Sequence, residues 1–198
     1  MKEKIYVGID LAKASSRIAV LDSSGESVLK PFSIANSNEE EERYINILLS
    51  NRTPGIILLT PTQKDANIIN LAGMNYPYVL INSKVASIKS DMVSIDHFQS
   101  AKTAVNYLIA KGHKRIAHFA GFKDAYGIVK RIEGYKAALN DNGIEIDEDI
   151  IIKDGLSFDG GYKSAEKLIN MSKRPTAIFT ANDIVAIAAF LLQYHDLW

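Results

Sequence analysis

The chain has 198 residues, 47% hydrophobic and 23% charged, which suits one soluble globular domain or two small lobes with a real core. Its 23 basic and 23 acidic side chains cancel, so no overall field draws it to nucleic acid or to an anionic membrane. It has no cysteine, which excludes disulfides, thiolate metal sites and cysteine nucleophiles. No apolar run is long enough to span a bilayer, and the apolar stretch of "MKEKIYVGID" is too short for a signal peptide, so a cytoplasmic protein is expected.

In chain order, the first third reads as strands. "KIYVGID" (4–10) and "SSRIAVLD" (15–22) are short apolar runs, and "SSGES" is a turn signal before "SVLKPFSIAN" (27–36). Pro31 demotes that third strand to an edge or a bulge, and the short connections predict antiparallel pairing. The texture then changes. "SNEEEERYINILLSN" (37–51) sets Tyr44, Ile45, Leu48 and Leu49 at helical spacing behind an acidic first turn, with Ser37 or Asn38 to cap it.

From there apolar strands alternate with amphipathic helices. Strands are predicted at 55–60, 76–82, 115–121, 149–155 and 176–182, and helices at 63–73, 100–112, 126–143, 160–171 and 183–193. Continuous apolar strands of this kind belong to a parallel sheet covered on both faces. The lobe boundary is placed just after Gly121, giving a first α/β lobe over 1–121, with 1–36 as its three-strand start, and a partial second lobe over 122–198.

Residues that carry chemistry are few. "KGHKR" (111–115) reads as a corner: Gly112 closes a helix, and His113, Lys114 and Arg115 lie near its carboxyl end, where cations are favoured. His97, His118 and His195 show no paired ligand spacing, so no metal and no cofactor is expected. Phosphate-binding glycine motifs and a nucleophile elbow are absent from the sequence. Asp10, ending the first strand, is where a two-metal nuclease would hold an acid, but the next strand ends in Leu59-Thr60-Pro61 with no partner acid. Arg131 sits one turn before Gly134 on a helix beyond the lobe boundary. Asn182 sits at a strand's carboxyl end, where open α/β folds bind ligands, and Asp183 is placed to cap the helix that follows.

The segment "VSIDHFQSAKTAVNYLIAKGHKRIAHFAG" (93–121) resembles the effector-binding domain of LacI/GalR-type repressors. Asp96 and Gly112-His113 match the pattern, while His97 and Ser100 replace the usual Asn and Gly. The resemblance continues through "KRIEGYKAALNDNGI" and "RPTAIFTANDIVAIAA" and backward through "SNEEEERYINILLSNRTPGIILLTP", covering about residues 37 to 190. It implies a two-lobed, periplasmic-binding-protein-like α/β fold, flavodoxin- or Rossmann-like, with a small-molecule effector, sugar or nucleobase-like. Carried over by position, Arg131 and Asn182 are effector contacts from the second lobe and Asp96 is a first-lobe residue near the cleft. The second lobe is expected to be truncated, and no helix-turn-helix is recognised, so no direct specific DNA binding is expected. A homodimer is left open, and no enzyme activity is expected.

The first 36 residues resemble instead the opening of DEDD-type insertion-sequence transposases, with a RuvC-like, RNase H-like start of three antiparallel strands and Asp10 at the first metal-binding acid. The two resemblances together imply a composite or chimeric chain. The alternative function is a metal-dependent nuclease or transposase fragment.

Overall fold

The computed structural model describes residues 6–11, 15–21, 27–35, 38–50, 53–58, 66–85, 88–121, 125–153 and 156–195. Its contacts divide the chain into two units, Met1–Ile95 and Asp96–Trp198.

The first unit is one sheet with helices. Strands β1 (Tyr6–Leu11), β2 (Ser15–Leu21) and β3 (Ser27–Ala35) pair antiparallel in sequence, with register shifts between β2 and β3. The chain then runs through helix α1 (Asn38–Ser50), β4 (Ile56–Leu58), α2 (Ala66–Gly73), β5 (Tyr78–Ile81) and β6 (Asp91–Val93). The order is β3-β2-β1-β4-β5-β6, and every pairing from β1 through β4 and β5 to β6 is parallel. Alternation on β4 buries Ile56 and Leu58 against Ile45, Ile68, Leu71 and Leu80 and leaves Ile57 on the other face. The expected RNase H-like start is corrected to a mixed edge on a parallel α/β sheet. Short connections force neighbouring strands to run antiparallel, which specifies a hairpin rather than a fold family. The side chain of Asp10, the candidate metal-binding acid, lies outside the described residues. Strand β6 has no counterpart in the expected elements.

The second unit opens with α3 (His97–Ala110) and continues through β7 (Ile116–Phe119), α4 (Tyr126–Asp141), a short 3₁₀ turn (Glu148–Ile150), β8 (Ile151–Ile152), α5 (Phe158–Ile169), β9 (Ala177–Thr180) and α6 (Asp183–His195). Its strands are all parallel, in the order β8-β7-β9. Alternation along β7 explains its two cores. Ala117 and Phe119 face Leu168, Val185 and Leu192 of α5 and α6. Ile116 faces the other way, with Val105 of α3 and Tyr135, Ala138 and Leu139 of α4. Tyr135 is fully buried, and its hydroxyl donates to the Ile116 carbonyl at 2.7 Å. Helix α3 packs directly on α4, which is why it falls in this unit; the expected lobe boundary after Gly121 lies inside it.

The helices begin and end as their sequences direct. Asp96 caps α3 by accepting from the Gln99 amide at 2.9 Å, and Ser157 caps α5 through the Gly160 amide at 3.2 Å. Gly112, at φ 93°, turns the chain out of α3 in a conformation that side chains resist. The corner beyond it is held internally: His113 Nδ1 lies 3.0 Å from Thr176 Oγ1, and Arg115 pairs with Asp147 and donates to the Lys173 carbonyl at 3.1 Å.

Candidate functional site

The carboxyl ends of β7 and β9 lead into α4 and α6, and the side chains at these junctions form the candidate site. Arg131 lies on α4 one turn before Tyr135, and it is half-buried. Burial lowers the pKa of its guanidinium from the ordinary value, and among the described residues it has no carboxylate or hydrogen-bond partner. A partly desolvated guanidinium with no partner among the described residues is an acceptor-seeking group.

Beside it stands His97, the first residue of α3, which is 4% exposed and has both ring nitrogens without a hydrogen-bond partner. Burial first, and then the charge of Arg131, lowers its pKa, while Asp96 acts in the opposite sense. The ring meets the first turn of α4: it stands edge-on to Tyr126 with centroids 6.2 Å apart, and a Cβ on Gly127 would lie 2.9 Å from its Nε2. Ala125 gives α4 no side-chain cap.

His118, on β7, is fully buried and stacked between Phe179 and Tyr135, with centroids 4.7 and 5.2 Å away. Its Nδ1 lies 3.0 Å from the Phe179 carbonyl, which can only accept, so Nδ1 carries the proton and Nε2 presents a lone pair with no partner. Burial lowers its pKa to about 4, against the bond to Phe179 and with help from Arg131. Arg131 therefore acts electrostatically on two buried neutral imidazoles.

The three residues expected at the site are placed unequally. Asp96 precedes His97 in sequence, and the charges of Asp96 and Arg131 both act on its ring. Asn182 is half-buried and already engaged, accepting from the Val185 amide at 2.9 Å and donating to the Leu156 carbonyl at 3.3 Å. Asn182, rather than Asp183, thus caps α6 through the residue three further on; among the described residues Asp183 accepts from the adjacent Ile184 amide. His97, His118, Tyr126 and Gly127 were not among the expected contacts. His97 carried a signal, as a departure from the usual Asn. Among the described residues, no group of three or more His, Asp or Glu side chains could hold a metal ion, and no helix is long and apolar enough to cross a membrane.

With this geometry in place, the comparison with known proteins is direct. The family described as "Periplasmic binding proteins and sugar binding domain of LacI family" matches residues 30–195. The chain belongs to this family. Among its relatives in that family is the HTH-type transcriptional repressor CytR of Escherichia coli K12, 31% identical over 156 residues, or 78% of this chain and 46% of the relative. A regulatory protein of the LacI family from Chloroflexus aggregans superposes with a TM-score of 0.75 at 27% identity, covering 82% of this chain and 59% of that one. A transcriptional regulator CelR–cellobiose complex gives a TM-score of 0.74 at 28% identity, covering 81% of this chain and 50% of that one. The chain spans about half the length of the curated relatives it matches.

This membership corrects the transposase reading. The LacI-family match begins at residue 30, inside β3, so the last of the three opening strands already lies within it. The comparisons give no support to a RuvC-like portion or to a composite origin. The family is described as one of periplasmic binding proteins and sugar binding domains.

Proposed function

We propose that this chain is the effector-binding domain of a LacI-type transcriptional regulator, taking a sugar or nucleobase-like small molecule at Arg131, Asn182 and Asp96. The carrying observation is Arg131, half-buried with no partner among the described residues and acting electrostatically on His97, whose buried ring nitrogens are also unpartnered among those residues. Hydroxyl or carbonyl oxygens of a ligand satisfy such donors, and a buried donor left unmade costs about 1–3 kcal/mol. The sugar-binding description of the family and the cellobiose complex of a relative favour a polyhydroxylated ligand. Asn182, held by Leu156 and α6, offers its remaining amide hydrogen from a fixed position. The domain acts in the cytoplasm as a homodimer and does not itself read DNA.

The test is titration calorimetry and thermal melting with a panel of mono- and disaccharides, nucleosides and purines. A ligand at a hundred times its dissociation constant should raise stability by about 2.7 kcal/mol. The response should vanish in Arg131→Ala and persist in His113→Ala, whose ring is held by Thr176. A response lost only in His113→Ala, or no response to any ligand, overturns the proposal.

A further inference from the structure

Gly127, Arg131 and Gly134 follow one another along α4 at the spacing that places residues on one helix face. That face meets α3. A Cβ on Gly134 would lie 3.1 Å from the Ala101 Cβ, and closer still to the Phe98 carbonyl. A Cβ on Gly127 would lie within 3.2 Å of three atoms of the His97 ring, Nε2, Cε1 and Cδ2. The start of α3 therefore approaches α4 at a glycine on either side of Arg131. These two approaches fix where the arginine leaves its helix.

The approaches differ in kind. At Gly134 the neighbour is the Phe98 backbone, which no change of pH alters. At Gly127 it is an imidazole, with its Nε2 edge turned to the first turn of α4. A helix presents amide hydrogens and the positive end of its dipole there, and Ala125 adds no side-chain cap. Among the described residues of α4, Arg131 brings a further positive charge, Tyr126 stands edge-on, and Lys130 is paired with Glu133. On α3, the opposing charge is Asp96, whose carboxylate already accepts from the Gln99 amide, and Lys102 is paired with Asp141. Both nitrogens of the ring are buried without a partner, so no acceptor awaits an added proton. A neutral ring suits this contact and an imidazolium does not.

We propose that His97 is a positioning residue for Arg131, its neutral ring seating the first turn of α4 on α3 and a proton on that ring releasing it. The inference rests on the effector site proposed above and adds a condition to it: the site is assembled while His97 is neutral and loosens in acid. Burial first, and then Arg131, lowers the His97 pKa from 6.5, so the ring is neutral at pH 7. The seating is complete above 6.5 and is lost as pH falls through the lowered value. Gly127 is what admits the ring, since any side chain there would occupy its place.

The test is NMR of the 198-residue chain from about pH 7 down to about pH 4, with circular dichroism to follow the helices. Arg131→Met identifies the Arg131 Nε–H signal by its loss. The heteronuclear NOE of that signal, a measure of fast side-chain motion, should be high at pH 7 and fall in step with the ring-proton titration of His97. In His97→Asn, whose amide does not titrate, it should be independent of pH, whatever its level. Any ligand bound from the saccharide and nucleoside panel should weaken at least about tenfold across the His97 titration in the parent, and not in His97→Asn. An Arg131 signal that stays constant while His97 titrates, or that follows His118 instead, overturns the inference and leaves the effector site standing. A His97 ring that takes no proton before the helices melt overturns it too. Absence of binding by every ligand overturns the effector site, and the Arg131 signal then decides the role of His97 alone.

Discussion

A Cβ on Gly134 would lie 2.2 Å from the carbonyl oxygen of Phe98. That separation shows how closely α4 crosses α3, and the obstruction is backbone, which cannot rotate away. Gly134→Ala should therefore destabilise the second unit by about 1–3 kcal/mol or more through overpacking, although alanine is the better helix former by about 1 kcal/mol. Urea denaturation monitored by circular dichroism measures this directly. An alanine variant as stable as the parent would show that the helices separate freely.

Asn182 serves two structural bonds as well as its proposed ligand contact, and substitutions can separate them. Asn182→Ala removes the α6 cap and the bond to Leu156, and should cost about 1–2 kcal/mol of stability. Asn182→Asp keeps the acceptor for the Val185 amide but loses the donor. It should retain most of the stability while weakening ligand binding. A thermal melt with and without ligand reads both quantities. Equal stability of the alanine variant and the parent would contradict the capping geometry.

Much of this fold was legible because burial in a parallel sheet writes itself as apolar runs. "RIAHFAG" contains β7, "TAIFTAN" contains β9, and the spacing of Tyr135, Ala138 and Leu139 marks the buried face of α4. Strand β6 was not legible: its three residues, Asp91, Met92 and Val93, are all exposed, so no burial pattern distinguishes them from loop. Adjacent polar residues were ambiguous too. Asn182 and Asp183 can both cap a helix, and only the bond to Val185 decides between them. In the proposed site, Arg131 was singled out through the resemblance to LacI-type effector domains. The role of His97 was not, because its burial comes from the first turn of α4, distant in sequence. Gly127 is the residue that leaves room for the ring.

Acid should weaken the second unit through His118. Its folded pKa is about 4, against 6.5 unfolded. Between those values the unfolded chain binds more protons, so stability rises with pH across that window. The contribution is complete above about pH 6.5 and is lost progressively as pH falls towards 4, by roughly 3 kcal/mol for a shift of this size. Burial of His97 acts in the same direction. Denaturation midpoints between pH 4 and 7 should therefore climb steeply in the parent and more gently in His118→Leu. That variant will be less stable at pH 7, because the Phe179 carbonyl loses its donor, so the slope rather than the absolute stability is the measure. Parallel slopes would show that His118 does not titrate in this window.

Arg131 is where stability and binding should part company. Its guanidinium is desolvated without an ion-pair partner among the described residues, and it lowers the pKa of both His97 and His118. Replacing it with methionine keeps a long apolar stem and removes the uncompensated charge. Arg131→Met should leave stability within about 1 kcal/mol of the parent or raise it, since an unpaired buried charge is costly. Ligand affinity should fall at least about tenfold, because hydrogen bonds to a charged donor are worth about 1.5–3 kcal/mol. The two imidazoles should titrate at higher pH in the same variant, read from their ring-proton NMR shifts. Both signals follow from one cause, the removal of a positive charge held close to neutral histidines. A variant that lost stability and affinity together, with the histidine pKa values unmoved, would place Arg131 in the packing of α4 and outside the binding site.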